Sequence, residues 1–376
     1  MRLKKLMAMG LSMVMALGLA GCGAKEAGTV KLGLITPKTG QVAQYGIAVE
    51  NAVKIAVEEV NAAGGVGGKQ VELISYDNKA DATESINVFN RLVDNDKIVA
   101  LVGPVISSTS LAVAPLAEEK QIPMISPTAT NLAVTPDYKY VFRACYTDPY
   151  QGGIVAKFAS ENLGAKTAAI LYNAGDDYST GLAEAFKATF EAAGGTITNY
   201  EGYTAENKDF KSVLTTIKEK QPDVLFNPDY YNSVGLIAGQ VKEVGLQTVM
   251  LGGDGWDDVQ KDYAGVVDGY FFANHYATDD EDATVQNFIK AYQDKYEGNT
   301  PNALGALGYD AAKIMMAAIE KAGSTEGAKI LAALQATNLG GVTGQITFDE
   351  NGDPQKSVSM IKIENGALKL EAKVGQ

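Results

Sequence analysis

An α/β architecture of two open parallel-sheet lobes is what this 376-residue chain predicts, on three observations. From Val30 onward, short apolar runs alternate with longer amphipathic segments, the pattern of parallel strands crossed over by helices. The alternation comes in two successive series, separated by a break around Thr147-Asp148-Pro149. The length also suits about two domains. A closed barrel of eight βα units is the competing arrangement if the break is ignored.

The first series reads as strand 30–35, helix 47–61, strand 71–76, helix 82–95, strand 98–103, helix 107–119 and strand 122–126. A strand at 140–143 leaves it. The second has strands 167–172, 197–203, 224–227 and 249–252, with helices 180–193, 208–220 and 234–244 between them. Helices 285–296 and 303–322 follow, then strands 345–348 and 357–363. If these return to the first lobe, several strands cross between lobes and form a hinge; periodicity alone does not decide it. Gly64-Gly65-Val66-Gly67-Gly68-Lys69 is glycine-rich, but it follows a helix and precedes a strand. That order is the reverse of a phosphate-binding loop, so these glycines end a helix and turn the chain.

The first 22 residues read as a targeting segment: Arg2, Lys4 and Lys5 precede an apolar stretch over 6–20 that is short for a bilayer span. Leu19-Ala20-Gly21-Cys22 then resembles the lipobox of bacterial lipoproteins, which implies an acylated Cys22 and a membrane anchor; an ordinary secretory signal is the alternative. Residues 23–28, small and polar, would be a flexible tether. Cleavage removes three basic and no acidic residues, so the formal charge moves from −13 to −16. An acidic body argues against a nucleic-acid partner. Only Cys145 remains beside Cys22, so no intramolecular disulfide is expected.

His275 is the single histidine, which removes most catalytic and metal-binding arrangements; a structural or surface role at a strand end is expected for it. Asp279-Asp280-Glu281-Asp282 lacks EF-hand spacing and precedes a helix, where carboxylates suit the positive helix end. No metal, cofactor or catalytic residue is expected.

Ligands of open parallel sheets sit beyond the carboxyl ends of the strands. There, Pro104-Val105-Ile106-Ser107-Ser108-Thr109-Ser110 and Pro127-Thr128-Ala129-Thr130 present hydroxyls. A helix beginning at Ser107 also leaves its first N–H groups unpaired, so Ser107 and Thr130 can hold a carboxylate without an arginine. The alternative is that Ser107 only caps its helix and Thr130 sits in a turn. Asp254, after strand 249–252, can pair with an ammonium group. Tyr45, Tyr178, Tyr230 and Trp256, all in loops after strands, wall a ligand or anchor their loops.

Residues 40–46, 61–66, 107–109, 126–130, 177–181 and 208–210 together carry a resemblance to leucine/isoleucine/valine-binding proteins of the type I periplasmic-binding-protein fold, across essentially all of the mature chain. The resemblance implies that Ser107 and Thr130, flanking Ala129, hold an α-carboxylate, and that the Thr128 carbonyl and Asp254 hold the α-ammonium. Asp254 stands where leucine-binding members carry glutamate, so its reach is one methylene shorter. Tyr45, Ile106, Tyr178, Tyr230, Trp256 and Leu304 would line the side-chain pocket. Ile106 replaces a half-cystine of some members, and Trp256 would either shrink the pocket toward valine or offer a face to an aromatic side chain. The implied lobes are 29–147 plus 277–355 and 148–276 plus 356–376, closing by a hinge on an amino acid that an ABC permease receives. The protein would be a monomer and no enzyme. An amide or urea sensor of the same fold, signalling to a regulator, is the rival reading.

Overall fold

The computed structural model describes residues 28–375. Cys22, the targeting segment and all of the tether but Gly28 lie outside the described residues.

The first sheet contains β1 (Val30–Thr36), β2 (Val71–Asp77), β3 (Ala100–Val102), β4 (Met124–Ser126) and β5 (Val141–Arg143), all parallel, in the order β2-β1-β3-β4-β5. Helices α1 (Ala43–Ala62), α2 (Ala82–Arg91) and α3 (Ser107–Lys120) connect its strands. α4 (Asp148–Lys157) leads into the second series: β6 (Thr167–Asn173), α5 (Asp177–Ala192), β7 (Thr196–Tyr203), α6 (Lys211–Lys220), β8 (Val224–Phe226), α7 (Tyr231–Val244), β9 (Val249–Gly252), α8 (Val259–Val267) and β10 (Phe271–Asn274). The chain then forms α9 (Ala283–Lys295), α10 (Ala303–Ala322), α11 (Gly327–Gln335) and a hairpin of β11 (Asn338–Gly341) and β12 (Gly344–Thr347). β13 (Val358–Glu364) and β14 (Ala367–Val374) complete the second sheet, ordered β14-β13-β10-β9-β8-β6-β7. Two open sheets rule out the closed barrel.

The parallel strands of the two sheets repeat one topology: β7-β6-β8-β9-β10 has the order of β2-β1-β3-β4-β5. Each therefore has a point where the direction of winding reverses, between β1 and β3 in one and between β6 and β8 in the other. A crevice opens at the carboxyl ends of the strands at such points. The loops leading to Tyr45 and Ser107 start from β1 and β3, and those leading to Tyr178 and Tyr230 start from β6 and β8.

α9 and α10 follow a strand of the second sheet but pack against α1 of the first: Ala52 and Ile55 join Phe288, Ile289 and Ala306 in one apolar cluster. Gly308 permits this approach, since a Cβ there would lie 3.0 Å from a Val49 methyl. The chain thus crosses between the sheets three times, through 144–147, 275–282 and 348–357. None of these crossings is a sheet strand, contrary to the expected strand hinge. Buried Lys356 on the third crossing donates to the Ala144 carbonyl on the first at 2.9 Å. Burial pushes its ammonium down to about 8.

Other expectations also need correction. The second sheet is not wholly parallel, because β13 pairs antiparallel with both β10 and β14. The strand expected at 345–348 belongs to a hairpin outside both sheets. α4, α8, α11, β11 and β14 were not anticipated. α4 is concealed by Gly152-Gly153, poor helix formers; Gly152 is required because a Cβ would come within 2.7 Å of Ala185 on α5.

The loop after β4 is braced by Arg143, whose side chain is fully buried. Its Nε donates to Asp353 at 2.6 Å, its Nη1 to the carbonyls of Ala129 and Asn131, and its Nη2 to Thr135. Replacing one partner of such a pair leaves the other buried and uncompensated. Arg143→Met is expected to lower stability by about 3–5 kcal/mol in urea unfolding; a loss under about 1 kcal/mol would show that water takes over the bonds.

Candidate functional site

On the first lobe the site is built by two loops tied to each other. Gly103, at φ +95°, turns the chain out of β3 where a Cβ would lie 2.3 Å from the Ile35 carbonyl. Ser126 Oγ donates to the Pro104 carbonyl at 2.7 Å, and Thr128 Oγ1 to the Val105 carbonyl at 2.5 Å. α3 starts at the end of the first loop with Ile106 before it, and no side chain caps it. Ser107 therefore does not cap its own helix; its Oγ accepts from Asn131 N at 3.3 Å. Uncapped first-turn N–H groups beside a hydroxyl make an anion-binding corner. Thr130 Oγ1 is buried without a hydrogen-bond partner.

On the second lobe, Gly253 lets the turn after β9 pass close beneath α4 and α5, for a Cβ there would sit 2.1 Å from Gln151 Oε1 and 2.7 Å from the Tyr178 hydroxyl. Asp254, 4% exposed, is held by Gln151 twice: Gln151 Nε2 donates to Oδ1 at 3.1 Å, and Asp254 N donates to Gln151 Oε1 at 3.1 Å. Its Oδ2 lies 2.9 Å from His275 Nε2. A carboxylate only accepts, so the ring nitrogen donates. Burial pushes the imidazole below its usual range, and the ring is neutral at pH 7. No lysine or arginine pairs with Asp254 among the described residues.

Three tyrosines close the sides. Tyr178 and Tyr230 stack with centroids 5.2 Å apart, and Tyr45 meets Tyr230 edge-on at 6.1 Å. Tyr45 donates to the Gly255 carbonyl at 2.5 Å, while Gly255 N donates to the Tyr178 hydroxyl at 2.9 Å. Both lobes thus grip the turn that carries Asp254. Burial raises all three phenols, which stay neutral. These tyrosines, Asp254, Ser107 and Thr128 bound a small space between the lobes, with Val105, Ile106 and Leu304 as its apolar lining.

The lobes are closed on each other. Tyr231 donates to the Gln41 carbonyl at 2.9 Å, Asn131 Nδ2 to the Asp177 carbonyl at 2.8 Å, and Asn302 Nδ2 to Asp258 at 2.8 Å. Ala303 N, at the start of α10, donates to Asp257 at 2.6 Å.

Eight of the eleven expected ligand-contacting residues come together around this space: Tyr45, Ile106, Ser107, Thr128, Tyr178, Tyr230, Asp254 and Leu304. Trp256 does not. Its indole turns under β9, wholly buried, donates from Nε1 to the Asn227 carbonyl at 2.8 Å and stacks near Phe272. Ala129 is packed into the core on the α2/α3 side, and Thr130 does not border the space, its carbonyl accepting from Asp148 N at 2.8 Å. The sequence reading missed Val105, Gln151 and the contact made by His275. His275 does leave a strand end, as expected, and of the two expected places, structural or surface, it takes the buried one, under the site. Its position one residue after β10, in the same plane of strand ends as Asp254, was the available signal.

Trp256→Phe removes one buried hydrogen bond and some ring contact, so it is expected to lower stability by about 1–3 kcal/mol; an unfolding midpoint equal to the parent's would contradict the buried bond.

A protein-family model described as "Periplasmic binding protein" matches residues 29–367. The chain is 32% identical over 330 residues, 87% of each protein, to a "Leucine-, isoleucine-, valine-, threonine-, and alanine-binding protein" of Pseudomonas aeruginosa. The structure of the leucine binding protein LivK from Thermotoga maritima is similar with a TM-score of 0.87 and 36% identity, covering 92% of this chain and 99% of that one. The branched-chain amino acid transporter substrate binding protein LivJ from Streptococcus pneumoniae, solved with isoleucine, gives a TM-score of 0.87 and 32% identity over 93% and 100% of the two chains. Fold, closed cleft and similarity agree: the chain belongs to the leucine/isoleucine/valine-binding family of type I periplasmic binding proteins, a class of non-catalytic solute binders.

Proposed function

We propose that this protein captures a branched-chain α-amino acid between its lobes, outside the cytoplasmic membrane, and presents it to an ABC permease. The observation that carries the reading is the pairing of opposite characters across one small space, with an uncapped helix start and Ser107 on one side and Asp254, free of any lysine or arginine among the described residues, on the other. A zwitterion satisfies both, and Val105, Ile106, Leu304 and the tyrosines suit an aliphatic side chain. The roles follow: Ser107 and the first N–H groups of α3 take the carboxylate, and the Thr128 carbonyl and Asp254 take the ammonium. The buried place of Trp256 removes the reason to expect an aromatic ligand. A dissociation constant near micromolar needs only about 8 kcal/mol, within reach of a buried zwitterion and an apolar pocket.

The lobes of this reading are 29–147 with 277–355 and 148–276 with 356–376, pivoting on the three crossings as a hinge. Acylated Cys22 and a tether over 23–28 would keep a monomeric binding protein beside its permease.

Asp254→Ala and Ser107→Ala are each expected to weaken leucine binding at least about tenfold, about 1.4 kcal/mol, by titration calorimetry. Parent-like affinity in both would show that the site is misassigned. Cys22→Ser should move the protein from the membrane fraction to the soluble extracytoplasmic fraction; retention on the membrane would remove the lipid anchor from the reading.

A further inference from the structure

Asp254 is fixed from outside the cleft. Gln151, in the first turn of α4, holds Oδ1 and the backbone N–H, and His275, at the end of β10, holds Oδ2. His275 is itself oriented: its ring stacks on Tyr146 of the first crossing, with centroids 3.8 Å apart and planes 21° off parallel. Its side chain is inaccessible to solvent, and its Nδ1 has no hydrogen-bond partner. A second proton on that nitrogen would be buried and unpaired, which disfavours the imidazolium.

We propose that His275 is a positioning residue for ligand binding: its neutral ring aims the Asp254 carboxylate at the ligand's ammonium, and protonation of the ring opposes capture. This rests on the reading that Asp254 takes the ammonium.

The groups facing the ring set the direction of the effect. Asp254 faces it from the turn after β9 and favours its charged form; Lys356, on the third crossing, disfavours it. Tyr146 covers one face, and the fields of Asp148 and Asp257 reach that tyrosine from α4 and from the turn beyond Asp254. A surface groove that also borders His275 carries Asp280, Asp282 and Lys373. Burial outweighs the carboxylate, so the ring is uncharged at neutral pH and becomes charged only in acid. An imidazolium would then cancel the charge of Asp254 and repel an ammonium a few ångströms away. By linkage, ligand binding lowers the ring's proton affinity, so binding releases protons in mild acid and affinity falls as pH falls.

The test is calorimetric titration of the mature protein with leucine between about pH 7.5 and about pH 5, in buffers of different ionisation enthalpy, for the parent, His275→Gln and His275→Leu. The parent should lose at least about twofold in affinity toward acid and release protons on binding. His275→Gln keeps an N–H donor without a titrating ring, so its affinity should stay near the parent's neutral value and vary less with pH. His275→Leu should bind at least about threefold more weakly at neutral pH, with folding checked by its melting curve. An acid slope and proton release in His275→Gln equal to the parent's would overturn the inference, and if the leucine variant does not fold, that comparison alone decides. Asp254→Asn separates the two readings. Weak binding there with a parent-like His275→Gln slope refutes the role of His275 and leaves the ammonium site standing, whereas parent-like binding in Asp254→Asn refutes the ammonium site itself.

Discussion

A carboxylate that is 4% exposed must be compensated, and the way Asp254 is compensated organises everything around it. The partners within the protein are neutral: the Gln151 amide and the His275 ring. They fix its direction without supplying the positive charge it favours. Across the space, α3 begins with no side chain over its first N–H groups, so the facing lobe offers the complementary partial charge. The turn bearing Asp254 can occupy this place only because Gly253 has no Cβ to strike Gln151 and the Tyr178 hydroxyl. Tyr45 and Tyr178 then grip Gly255 from opposite lobes. Charge placement, backbone freedom and lobe closure are parts of one arrangement.

The repeated strand order explains why two separate sheets aim their loops at the same space. Each reverses its winding beside its first strand, and each supplies its site residues from the carboxyl ends near that reversal. The three crossings connect the sheets without becoming part of either. Two contacts tie them down: Lys356 on Ala144, and Arg143 on Asp353 and the loop after β4. The bracing reaches the site, because Arg143 holds the carbonyls that follow Thr128. A ligand between the lobes therefore meets preformed walls on both sides.

Much of this was legible in the sequence where one physical signal dominated. The strands and helices of both series follow from hydrophobic periodicity; β9 and α10 occupy their expected residues, and most other ends shift by one to three. Of the eight expected residues that border one space, Ser107, Asp254, Tyr45, Tyr178 and Tyr230 were legible from strand ends, and Thr128, Ile106 and Leu304 only from the resemblance. Where two signals compete, the reading fails. Gly152 serves close packing against α5 and so hides α4, and with it the role of Gln151. Tyr263 breaks the helical geometry inside α8. β14 was missed although Leu368, Leu370, Ala372 and Val374 alternate with exposed polar residues, a readable signal. Trp256 illustrates a different failure: following a strand end does not say which way a side chain turns. Gly252 leaves room for the indole under β9, where Asn227 takes its N–H.

The central claim is that a free amino acid is the captured solute, and it is tested most directly by thermal shift. The mature protein, freed of bound ligand by unfolding and refolding, would be screened against the common amino acids and several small amides. A solute that binds only the folded state raises the melting temperature by mass action. Leucine, isoleucine and valine should give the largest shifts, with amides giving none. No shift with any amino acid, or shifts with amides as large as those with leucine, would contradict the claim while leaving the fold intact.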